Sequence, residues 1–74
     1  MVNQTVICSP INDVYYLHNT TTLRAEFNLP FMKGEKAEVI GTRRMGSSFL
    51  DEMVLVLTEN GTRGWIPKKF VTVM

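Results

Sequence analysis

The stretch ENGTRGWIPKKFV, residues 59–71, decides how the chain reads. It follows Met53-Val54-Leu55-Val56-Leu57, a run apolar on both faces, short and β-rich, which reads as a central strand rather than a helix. Asn60-Gly61 signals a tight turn, because both residue types tolerate positive φ. Thr62 to Ile66 is then the returning strand, with Gly64 placed for a sharp backbone bend. Pro67 lacks an N–H and ends the ladder. Phe70-Val71-Thr72-Val73 supplies a last short strand.

Upstream, the punctuation is similar. Pro10, Pro30, Gly34, Gly41 and Gly46 divide short segments, and none carries a 3.6-residue apolar repeat. Thr5 to Cys8 reads as a first strand. Val14 to Leu17 and Leu23 to Phe27 read as the arms of a hairpin with His18-Asn19-Thr20-Thr21 at its tip. Glu35 to Ile40 reads as a strand with Ala37 and Val39 on one face. In a chain of 74 residues these segments predict one all-β domain, a small barrel of five or six short antiparallel strands.

Composition narrows the function. A chain this size buries about 60% of its unfolded surface. Its single cysteine, Cys8, allows no internal disulfide, which favours a reducing, cytoplasmic setting. The net charge of +1 is too small for bulk attraction to nucleic acid. No apolar run approaches the roughly 20 residues of a membrane span. His18 at a hairpin tip and Cys8 in a strand make a poor catalytic pair. No group of three or four ligands suggests a metal, and no Gly-rich motif suggests a phosphate. The expectation is a binding module without cofactor or catalysis.

The order of residues resembles an SH3 domain. LPFMKGEKAEVI (29–40) is similar to the family's segment of alternating Leu and Phe, Lys-Gly and an acid. NGTRGWIPKKFV (60–71) is similar to its distal hairpin and its Gly-x-Ile-Pro-x-x-aromatic-Val ending. The resemblance implies an SH3-like barrel. Leu29, Phe31, Ile66 and Val71 would turn inward and Trp65 outward, with Pro67 opening a helical turn that presents Phe70. It implies one module, residues 1–74, of a larger cytoplasmic scaffold or signalling protein.

Three departures stand out. The family's Ala-Leu-Tyr-Asp-Tyr strand matches either Val6-Ile7-Cys8, with Pro10 where the first Tyr belongs, or Val14-Tyr15-Tyr16, with Tyr15 there. The first places nearly the whole chain in the barrel and is preferred. The groove Trp is missing; its place falls near Glu52, or at Asp51 or Met53 in a slipped register. Acids before Leu29 are few, Asp13 and Glu26.

The family's groove slots prolines of a polyproline-II ligand between aromatic rings. The resemblance therefore implies a peptide-binding surface of Tyr15, Tyr16, Pro67 and Phe70, with Glu26 and Glu52 meeting basic ligand groups. Loss of the groove Trp predicts weak or absent binding of plain proline-rich peptides. Tyr15 and Tyr16 are adjacent and face opposite ways in a strand, so one could be core and one surface. The alternatives are a folded partner such as ubiquitin, suggested by Phe70, or a segment of the parent chain. Nucleic acid is a further alternative, suggested only by Arg43-Arg44 and Lys68-Lys69, two pairs whose default reading is solvation. Phe49 and Leu50 are expected to cover the place of the missing Trp.

Overall fold

The computed structural model describes residues 1–44 and 52–74. Phe49, Leu50 and Asp51 lie outside the described residues. The chain forms β1 (Thr5–Cys8), β2 (Val14–His18), β3 (Ala25–Met32), β4 (Lys36–Arg44), β5 (Glu52–Thr58), β6 (Arg63–Pro67), a 3-10 turn (Lys68–Phe70) and β7 (Val71–Val73). These strands make one antiparallel sheet of seven, in the order β3-β2-β6-β5-β4-β1-β7.

The expected count of five or six strands is therefore too low, because the hairpin arms and the short last strand are all separate members. The sheet is also open: β3 and β7 are its two edges and are not paired with each other. It nevertheless curls. Val6, Leu17, Phe31, Val39, Val54, Val56 and Ile66 come from six different strands and share one buried cluster, which one face of a flat sheet could not achieve.

β5 is central, flanked by β4 and β6. Its apolar run is explained by burial of Val54 and Val56 in the core on one face, while the other face carries buried Met53 and half-buried Leu55 and Leu57. β4 continues past the expected end at Ile40, because a register shift between Val39 and Gly41 lets Arg43 and Arg44 pair with Met53 and Glu52. β3 likewise runs on through Leu29-Pro30-Phe31. Pro30 is tolerated because β3 is an edge strand, where a missing N–H need not break a ladder.

Two glycines differ from expectation. The β5–β6 connection takes four residues, Glu59-Asn60-Gly61-Thr62, rather than a two-residue Asn-Gly turn. Only Gly61 has positive φ (83°), and the Thr58 N–H donates to the Thr62 carbonyl at 2.8 Å. This is the pattern of a turn closed by a left-handed glycine. Gly64 is needed for proximity, not for a bend. A Cβ there would lie 2.6 Å from Leu17 Cβ and 3.0 Å from the His18 carbonyl oxygen. β2 runs beside β6 in the sheet and comes closest here, next to the His18–Trp65 pairing.

Candidate functional site

Phe70 ends the 3-10 turn that follows Pro67, whose φ of −56° and ψ of 135° start it. The Ser9 N–H donates to the Phe70 carbonyl at 2.7 Å, and Val71 then pairs with Cys8. The turn is thus fastened to the segment leaving β1. Its aromatic ring packs at the edge of the core and meets the Tyr15 ring from β2, with centroids 5.4 Å apart and planes at 42°. The structure brings these two sequence-chosen residues together across the mouth of the sheet.

Tyr15 is held from its other side as well. Its hydroxyl lies 2.9 Å from His18 Nε2, and His18 Nδ1 lies 3.2 Å from the Leu23 carbonyl. A carbonyl only accepts, so Nδ1 carries a hydrogen and donates to it. In the neutral ring, Nε2 then accepts from the Tyr15 hydroxyl. The rings of Tyr15 and His18 are nearly parallel, at 4°. Burial pushes the Tyr15 phenol above its ordinary pKa.

His18 did not stand out in the sequence for a physical reason. Residues three apart in a regular strand face opposite ways. The register shift between Tyr16 and His18 breaks that alternation and turns the imidazole onto Tyr15. Below it, the hairpin tip is ordered by Asn19, whose Oδ1 accepts from the N–H groups of Thr21 and Thr22 at 2.7 and 3.0 Å.

The remaining candidates divide. Tyr16 turns to the opposite side of the hairpin and meets Phe27 edge-on, with centroids 4.9 Å apart. Phe27 is 86% exposed. Glu26 is half-buried on β3, on the same hairpin. Pro67 is half-buried and pairs with Met53. Glu52 does not stand free: its carboxylate is 3.9 Å from Lys68 Nζ. Lys69 Nζ lies 5.2 Å from the Phe70 ring centroid.

On the outer face, Trp65 is half-buried against Gly41, with Arg43 at 5.7 Å from its ring centre. Surface depressions open elsewhere. One of about 180 Å³ is lined by Thr42, Arg43, Arg44 and Glu52. Another of about 480 Å³ includes Thr5, Lys36, Leu57 and Glu59. Among the described residues, no cluster of His, Cys, Asp and Glu could hold a metal ion, and no helix is long and apolar enough to cross a membrane.

No protein-family model, curated protein or solved structure matches the chain.

Proposed function

We propose that the chain is a protein–protein interaction module of SH3 type that binds a peptide segment across Tyr15, Pro67 and Phe70. The observation that carries this reading is the Tyr15–Phe70 contact at 5.4 Å, made at a surface edge by two rings from distant parts of the chain. Supporting it, a 3-10 turn stands between β6 and β7, where the motif ending in Phe70 calls for one. β1 lies between β4 and β7 with Cys8 buried, as expected if Val6-Ile7-Cys8 is the family's first strand. The β2–β3 hairpin then takes the place of the long loop before Leu29, and the open, curled sheet takes the place of the barrel.

The physical rationale is pre-organisation. A polyproline-II ligand is already extended, so binding loses little entropy. Tyr15 and Phe70 are held by the core, by His18 and by the Ser9 hydrogen bond, so the surface also needs little ordering. The groove of this reading lacks its Trp wall, so plain proline-rich peptides are expected to bind weakly. Tyr16 belongs to a separate patch with Phe27.

The test is selection of peptides from a random library, followed by titration of the recovered peptides against Tyr15→Ala, Phe70→Ala and Trp65→Ala, each checked for folding. Truncating a buried aromatic anchor costs about 2 kcal/mol or more, roughly thirtyfold in affinity. The first two variants should lose that much and Trp65→Ala little. Equal binding by all three would refute the assignment.

A further inference from the structure

We infer that the segment bound across Tyr15 and Phe70 is acidic, its carboxylates received by a basic rim of Arg43, Arg44, Lys68 and Lys69. This rests on the peptide-binding reading above. The two dibasic pairs are far apart in sequence, but strand pairing gathers them. Arg43 pairs with Met53, which pairs with Pro67; Arg44 pairs with Glu52. Three adjacent strands span about 10 Å, so both pairs stand at one end of the sheet, Arg44 beside Glu52 and Arg43 at the outer limit of the rim, its guanidinium 5.7 Å from the Trp65 ring.

The rim is continuous with the aromatic surface. Arg43, Arg44 and Glu52 line one depression of about 180 Å³. Glu52 reaches Lys68 at 3.9 Å. Lys69 sits 5.2 Å over the Phe70 ring, and Phe70 touches Tyr15. All four cationic side chains lie on exposed residues.

Among the described residues of this path, Glu52 is the one carboxylate, standing beside both Arg44 and Lys68. One carboxylate cannot neutralise four cations, and the excess is local. The chain has eight Lys and Arg against seven Asp and Glu. Among the described residues, four of those cations and one of those acids stand on the rim, a larger excess than that of the chain as a whole. A ligand with basic residues would meet repulsion here, whereas one with spaced carboxylates gains on-rate and register.

The chain's net charge of +1 is too small for the bulk attraction on which nucleic-acid binding rests, which favours a peptide here.

The experiment uses the ¹⁵N-labelled chain and three probe peptides. Each contains Ala-Pro-Pro-Leu-Pro-Pro, extended by a run of Glu, Gln or Lys. At low salt the Glu peptide should bind roughly tenfold tighter than the Gln peptide, and the Lys peptide more weakly than either. High salt should close the gap. Glu52→Gln should tighten the Glu peptide further, and the double variant Arg44→Glu with Lys68→Glu should invert the order. The Gln peptide tests the aromatic surface by itself, through the Ser9 and Phe70 amide shifts. If it shifts them but the Glu peptide binds no tighter, the acidic-ligand inference is wrong and the surface stands. If no peptide shifts them, the surface assignment itself fails. An oligothymidine that binds more tightly than the Glu peptide would overturn the inference in favour of nucleic acid.

Discussion

At the scale of single residues, close approach and burial govern the expected behaviour. Gly64→Ala would place a methyl 2.6 Å from Leu17 Cβ and near the backbone of His18. Urea unfolding should show a loss of about 3 kcal/mol, at the upper end for overpacking, because a strand must move rather than a side chain. Gly34 has open space around its Cα but a φ of 89°. Gly34→Ala should lose only about 1–2 kcal/mol, the cost of a left-handed backbone. Cys8 is 1% exposed, and burial, aided by Glu35, pushes its thiol from 9.0 to about 11. Between those values the unfolded chain releases a proton that the folded chain retains, so stability falls as pH rises through that window. Tyr15, raised by burial, adds to the same alkaline decline. Cys8→Ala should flatten the Cys8 part of the slope in unfolding curves measured across alkaline pH; an unchanged slope would show that the thiol is not protected. Much of this was legible: an apolar neighbourhood for Cys8 and a special role for Gly64 follow from the sequence. The reason for Gly64 did not, because it depends on the approach of Leu17 and His18 from β2, distant in sequence, and no local pattern reports a long-range approach.

At the scale of elements, protection should follow position in the sheet. β5 is paired on both sides and supplies Val54 and Val56 to the core. β3 and β7 are edges. Amide hydrogen exchange should therefore be slowest in β5 and β6 and fastest in β3 and β7. Val56→Ala should cost about 2 kcal/mol, from two lost methyl groups and the cavity they leave. Equal exchange across all strands would contradict the topology. The elements themselves could be read from alternation and punctuation, including the central strand and the turn before Phe70. Their ends could not. β4 runs on through Gly41 because a register shift accommodates the glycine. β3 runs through Pro30 because an edge strand tolerates a missing N–H. Tyr15 and His18 meet because a shift in the hairpin breaks the two-residue period. Each of these is an exception to the periodicity on which reading a strand depends.

At the scale of the whole molecule, a curled seven-stranded sheet carries aromatic contacts in three places: Tyr15 with Phe70, Tyr16 with Phe27, and Trp65 with Arg43. The sequence offered Tyr15, Tyr16, Pro67 and Phe70 as one surface. The fold divides it, since adjacent residues of β2 face opposite sides and only Tyr15 reaches Phe70. It also occupies Glu52 with Lys68, so the carboxylate expected to greet a basic ligand stands among cations. The gathering of Arg43, Arg44, Lys68 and Lys69 was not legible, because it is produced by pairing across β4, β5 and β6. The central claim is that ligands meet the Tyr15–Phe70 edge rather than the Trp65 face. The most direct measurement is an amide and indole chemical-shift titration of the labelled chain with the uncharged peptide Ala-Pro-Pro-Leu-Pro-Pro, carried to about millimolar concentration, where weak complexes populate. The account predicts shifts grouped at Ser9, Tyr15, Phe70 and Val71, with the Trp65 indole and Leu55 unmoved. Shifts grouped instead at Trp65, Leu55 and Gly41, or none at all, would contradict it.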